Sequence, residues 1–111
     1  MHILSIGLNH TTAPVELRER LAFSEEQVRA ALARLGCAHT NVTGEMKEMV
    51  IISTCNRIEI YGVSNQTTFS GLETFLSDAR GVAVEDLRPH LYRSSDAGAV
   101  RHLLDVAAGL D

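Results

Sequence analysis

The stretch Val50-Ile51-Ile52-Ser53-Thr54-Cys55-Asn56-Arg57-Ile58-Glu59-Ile60 constrains this chain more than any other. A β-branched run that favours a buried strand stops at a polar turn and resumes as an alternating strand. The two strands, Lys47 to Thr54 and Arg57 to Val63, are separated by too few residues for a crossover. They must pair as antiparallel neighbours, with Cys55 at the hairpin end.

The remaining elements arrange themselves around that hairpin. His2 to His10 alternates as a first strand, and Asn9-His10-Thr11-Thr12-Ala13-Pro14 is a loop in which Pro14 opens a helical turn from Val15 to Arg20. Ser24 and Gln27 have capping-box spacing, and Phe23 and Val28 are placed as a hydrophobic staple. The helix they start carries Val28, Ala31, Leu32 and Leu35 on one stripe and stops at Gly36. A polar connector, His39 to Gly44, leads into the hairpin and has the composition of a mobile loop.

After the hairpin, Ser64 to Thr68 is a second connector, and Ser70-Gly71-Leu72-Glu73 repeats the capping-box pattern. Leu72, Phe75, Leu76 and Ala79 make the stripe of a second long helix ending at Gly81. Val84 to Leu87 reads as a short helical turn. Pro89 should push Arg88 into an extended conformation ahead of a fourth strand, His90 to Ser94. A last helix begins at Asp96 or Ala97 with Val100, Leu103, Leu104, Ala107 and Ala108 on its stripe, and it shows no stop before Asp111. The expected class is α+β: a ferredoxin-like split β-α-β sandwich, with a four-stranded antiparallel sheet, helices on one face and a C-terminal helix. A meander packed on the same helices is the alternative.

Bulk properties narrow the function classes. A chain of 111 residues with 45% hydrophobic and 22% charged residues is expected to form one folded domain. No wholly apolar run is longer than Met49 to Ile52, which is far below the roughly 20 residues of a membrane span. Met1-His2-Ile3 lacks the basic start of a signal peptide, so a cytoplasmic location is expected. Net charge of −4 argues against a domain devoted to gripping nucleic acid. Arg18, Arg20, Arg29 and Arg34 concentrate locally, as a solvated helix face or a phosphate-facing patch. Cys37 and Cys55 are expected to be reduced thiols. Cys37 and His39 supply too few ligands for zinc, and no metal site is expected.

Cys55 is the one nucleophile in a sharply defined setting. A thiolate is the reactive form, and a guanidinium two residues on, Arg57, suits a carboxylate or phosphate. A buried, inert thiol is the competing reading. Among five histidines, His102 lies at the edge of the last helix's apolar stripe, where an imidazole can point into a cleft. His10 at the end of the first strand is its rival, and His90, after a proline, reads as structural.

Four blocks carry a family resemblance: Gly7 to Pro14, Leu17 to Arg20, Ser53 to Glu59, and Ala99 to Leu103 with Val106 to Asp111. In this order they resemble the amino-terminal catalytic domain of glutamyl-tRNA reductase, the Ser-Thr-Cys-Asn-Arg block being the most specific. The resemblance implies NADPH-dependent reduction of glutamyl-tRNA(Glu) to glutamate-1-semialdehyde in tetrapyrrole (porphyrin) biosynthesis, through a cysteine thioester. It implies Cys55 as nucleophile, substrate binding by Thr54, Cys55, Asn56 and Arg57, and selects His102 as the histidine important for activity. It further implies a homodimeric full-length protein and glutamate-1-semialdehyde aminomutase as a candidate partner.

In the family, further substrate-binding residues, an NADPH-binding domain and a dimerisation domain follow the point at which this sequence stops. No Gly-x-Gly-x-x-Gly occurs here, so residues 1–111 are expected to be the catalytic domain alone and not to complete reduction. Two other function classes remain. One is a ferredoxin-like binding or interaction module with a structural cysteine. The other, a cysteine hydrolase using His102, lacks an evident orienting group or oxyanion-hole motif.

Overall fold

A computed structural model describes residues 2–35, 48–64 and 68–109. Strand β1 (His2–Asn9) is followed by helices α1 (Val15–Leu21) and α2 (Glu25–Leu35). The hairpin strands β2 (Glu48–Ser53) and β3 (Arg57–Ser64) come next, then α3 (Ser70–Arg80) and the single turn α4 (Val84–Leu87). A 3-10 turn (Arg88–His90), β4 (Tyr92–Ser95) and α5 (Ala97–Ala107) complete the described chain.

The strands lie in the order β2-β3-β1-β4. Every pairing is antiparallel, with Ile6 opposite Ile60 in the centre and Asn9 opposite Arg57 at the hairpin end. This is the ferredoxin-like order expected from the sequence. The alternation of β1 and β3 separates two faces. On the first face Leu4, Ile6, Leu8, Ile58 and Ile60 join Leu17 and Leu21 of α1, Phe23, Ala31 of α2, and Leu72, Phe75 and Leu76 of α3 in one core. Each fully buried Leu, Ile or Phe in it contributes roughly 1.5–3 kcal/mol. On the second face Ser5, Gly7, Arg57, Glu59 and Tyr61 lie under α5, a placement that the sequence left open.

Local signals at α2 act as expected. Gln27 N–H donates to Ser24 Oγ at 3.1 Å, Ser24 N–H donates to Gln27 Oε1 at 2.8 Å, and the staple residue Phe23 is buried. Pro14 precedes α1 in an extended conformation, and Gly81 ends α3 at φ 66°. That left-handed cap accepts glycine without a Cβ penalty, while its N–H donates to Ser77 O at 2.8 Å.

Several boundaries differ from expectation. β2 ends at Ser53 and not Thr54, while β3 runs on to Ser64. Ser70 and Glu73 form no capping box: Phe69 occupies the cap position, and Glu73 turns inward to Arg88 and Arg93. Arg88 is helical (φ −51°, ψ −42°), not extended, because α4 continues into the 3-10 turn and Glu73 holds the Arg88 guanidinium. β4 therefore begins at Tyr92 and not at His90.

The stripe of α5 is also rotated. Ala99 is buried and His102, Leu103 and Val106 are half-buried, whereas Val100 and Leu104 are 42% and 63% exposed. The polar centre of the second face draws in the imidazole row. α5 stops at Ala107, before Gly109 at φ 74°. The expected end of α2 at Gly36, the loop His39 to Gly44, Cys37 and most of the second connector lie outside the described residues.

Candidate active site

The hairpin end is a short turn with several backbone anchors. Thr54 Oγ1 accepts from Asn56 N–H and from Arg57 N–H, each at 3.2 Å, and Thr54 N–H donates to Arg57 O at 2.9 Å. From the first face, Arg18 Nη1 donates to Cys55 O at 3.0 Å, and Ser53 Oγ accepts from Phe23 N–H at 2.9 Å. The Thr54 hydroxyl thus shapes the turn, and Arg18 ties it to α1. Cys55 and Asn56 are exposed at its tip, with Cys55 a free thiol. The competing picture of a buried thiol is not what the fold contains.

Arg57 points along the second face and is 8% exposed. Its Nη1 donates to Glu59 Oε2 at 2.9 Å. His102 reaches the same oxygen from α5, with Nε2 at 2.7 Å, so Arg57 and His102 meet through Glu59, a residue to which sequence pattern assigns no role. Tyr61 Oη donates to Glu59 Oε1 at 2.6 Å, and Tyr92 Oη donates to Oε2 from β4. The Tyr92 and His102 rings meet edge-on, 5.2 Å between centroids.

Glu59 is 1% exposed. Burial pushes its carboxyl up, but the hydrogen bonds from Tyr61, Tyr92 and His102, with the charge of His102, outweigh this and hold it below the ordinary value of 4.5. The carboxylate is therefore ionised at neutral pH and accepts from every neighbour. Gly7, paired with both Glu59 and Tyr92 across the sheet, leaves the room: a Cβ there would lie 2.8 Å from Glu59 Cγ and 2.8 Å from the Tyr92 ring.

The rival histidines sit elsewhere. His10 is exposed in the β1–α1 loop, and His90 Nδ1 bonds Thr12 O at 2.9 Å, a structural tie. Asn9 is occupied with its own loop, its Oδ1 accepting from the N–H groups of Thr11 and Thr12. The signal for the missed residues was present. Arg57, Glu59 and Tyr61 recur with period two, a polar row that a one-sided sheet would have turned to solvent.

Comparison with known proteins adds an independent line. The family profile described as "Glutamyl-tRNAGlu reductase, N-terminal domain" matches residues 6–111. Glutamyl-tRNA reductases of Prochlorococcus marinus (strain MIT 9312) and Pseudoalteromonas translucida (strain TAC 125) are 42% and 45% identical over the whole chain, which covers 25% of each. The solved glutamyl-tRNA reductase of Methanopyrus kandleri superposes with a TM-score of 0.57 at 28% identity, over 97% of this chain and 22% of that one. The chain thus spans about a quarter of the length of its curated relatives. With the Ser53–Arg57 turn, the antiparallel sheet and the match over residues 6–111 in agreement, the chain belongs to the glutamyl-tRNA reductase family and corresponds to its N-terminal domain.

Proposed function

We propose that residues 1–111 form the acyl-accepting domain of a glutamyl-tRNA reductase, with Cys55 as the nucleophile. The observation that carries this reading is an exposed thiol on a turn whose backbone is held by the Thr54 hydroxyl and the Arg18 guanidinium. A fixed, accessible thiol meets the positional demand of covalent catalysis. The Cys55 thiolate adds to the ester carbonyl of glutamyl-tRNA(Glu). The carbon–oxygen bond to the terminal ribose then breaks, the tRNA takes up a proton as it leaves, and a thioester joins Sγ to the glutamyl group.

The substrate's α-carboxyl is consumed in the ester, so its γ-carboxylate is the anion to be recognised. Arg57 supplies the fork of N–H donors that fits it. Asn56 is exposed beside the thiol and adds a polar contact, while Thr54 holds the turn that presents both. His102, the imidazole nearest this row through Glu59, is the proton-handling group.

NADPH, which supplies hydride in such a reaction, does not fit the described residues. The sheet is antiparallel throughout and has no parallel strand–helix–strand unit whose glycine-rich turn cradles a pyrophosphate. No hydride step is assigned to these residues. The cofactor, the dimer contact and the larger share of the tRNA surface belong, in this reading, to polypeptide beyond this domain. Among the described residues no helix is long and apolar enough to cross a membrane.

The test is acylation without reduction. A full-length reductase carrying these residues, given glutamyl-tRNA(Glu) but no NADPH, should accumulate a glutamyl adduct that peptide mass spectrometry places on Cys55. Cys55→Ser should abolish it. An adduct on Cys37, or an undiminished thioester yield in Cys55→Ser, overturns the assignment.

A further inference from the structure

Four polar side chains on the second face converge on one carboxylate. Glu59 Oε2 receives Arg57 Nη1 from its own strand, His102 Nε2 from α5 and Tyr92 Oη from β4, while Oε1 receives Tyr61 Oη. Such a group is costly: an ionised carboxylate this deeply buried is stable only when fully hydrogen-bonded, and apolar residues of similar volume generally serve a core as well or better. The chain nevertheless makes room for it with Gly7, opposite both Glu59 and Tyr92. The cost is incurred two residues along the strand from Arg57 and four from Cys55, on the row that leads to the hairpin end.

We propose that Glu59 is a positioning residue for the acylation chemistry, fixing the tautomer of His102 and the orientation of Arg57 through one shared oxygen. An ionised carboxylate only accepts hydrogen bonds, so the His102 nitrogen 2.7 Å from it must be the one that bears hydrogen. A neutral His102 is therefore the Nε2–H tautomer, and Nδ1 is its proton-accepting nitrogen. The same oxygen holds Nη1 of Arg57 at 2.9 Å, which sets the plane of the guanidinium fork before a substrate carboxylate arrives. The edge-on Tyr92 ring restrains the imidazole from the side. Glu59 itself is too buried to touch the glutamyl group, so its effect on the reaction is exerted through Arg57 and His102.

The functional half of this proposal rests on the acylation reading above; the tautomer half does not. In 15N-histidine-labelled chain, the neutral His102 ring should resonate as the Nε2–H tautomer. A predominantly Nδ1–H ring overturns the proposal whatever the protein's activity. In the full-length reductase, Glu59→Gln keeps the shape and removes the charge. The saturated acylation rate per folded molecule should fall about tenfold or more, with the half-saturating glutamyl-tRNA concentration moving less than about threefold. A purely structural Glu59 would lower the folded fraction and leave the rate per folded molecule unchanged, which also overturns the proposal. Tyr92→Phe provides a second variant should Glu59→Gln not fold: it removes one donor to Oε2 and should lower the saturated rate in the same direction, and an unaltered rate counts against the proposal. If the wild-type enzyme forms no Cys55 adduct, the acylation reading and the functional half that rests on it fail together, and the wild-type tautomer still decides whether Glu59 fixes the His102 ring.

Discussion

Two buried glutamates, one on each side of the sheet, are neutralised in different ways. Glu73 of α3 is 5% exposed and is held by Arg88 at 3.1 Å and Arg93 at 2.7 Å. Both arginines keep part of their side chains in solvent, 55% for Arg88 and 33% for Arg93, so the carboxylate works as a clamp joining α3 to the 3-10 turn and β4. Glu59 has one nearly buried guanidinium and then an imidazole and two phenols. Two permanent cations make a rigid ion cluster. One cation plus three groups that can rearrange their protons make an environment suited to chemistry.

Removing each carboxylate should expose that difference. Glu59→Ala strands Arg57 in a buried position and takes an acceptor from His102, Tyr61 and Tyr92, a loss of about 3–5 kcal/mol. Glu73→Ala should cost less, about 1–3 kcal/mol, because Arg88 and Arg93 can turn into water. Urea denaturation of the two variants measures both. Equal losses would mean that the second face tolerates a stranded guanidinium as well as the first, and would break the contrast.

The first face was legible in the sequence and the second was not, for a physical reason. Leu4, Ile6, Leu8, Ile58 and Ile60 announce themselves by alternation, and the Ser24–Gln27 box by its spacing, because both are local signals. The hairpin end was legible too, since a Cys-Asn turn between two β-branched runs leaves few alternatives. By contrast, Glu59 looks like a solvent-facing residue until α5 covers it with His102, 43 residues later. The stripe expected on α5 ran through Val100, Leu103, Leu104, Ala107 and Ala108 with His102 at its edge. Leu103 and His102 are half-buried accordingly, whereas Val100 and Leu104 are exposed and Ala99 is buried, because the helix turns its imidazole toward a buried carboxylate. Likewise Glu73 matched a capping box in spacing, yet two arginines distant in sequence outbid the local backbone. The family resemblance picked out His102 but supplied no partner for it.

Gly7 offers a gentler way to sharpen the comparison, since it perturbs the second face without deleting a charge. The Cβ of Gly7→Ala would lie 2.8 Å from both Glu59 Cγ and Tyr92, so one of them must shift. Overpacking of this kind costs about 1–3 kcal/mol. The tyrosine ring cannot yield without loosening its contact with His102, so acylation of Cys55 should slow alongside the drop in melting temperature. Stability lost with an unchanged acylation rate would separate the packing of this face from its chemistry.

The smallest effect is one of pH, and its sign follows from the carboxyl of Glu59 being held below 4.5 in the folded chain. In the unfolded chain it returns to the ordinary value, so at moderately acid pH the unfolded state binds the additional proton. Its contribution is fully present above that ordinary value and is lost as pH falls through the lower, folded one. Asp96 acts with the same sign. Its carboxyl is lowered by the Ile3 N–H and then by His2, at the point where β1 meets the start of α5. Stability measured by urea at about pH 6 and at about pH 4 should therefore decline toward acid in the wild type, and decline less steeply in Glu59→Gln. An Asp96→Asn control should remove only its own share of the slope, because it lies outside the Glu59 network. If Glu59→Gln left the slope unaltered, Glu59 would titrate alike in folded and unfolded chains, and the donors around it would not be favouring its charge.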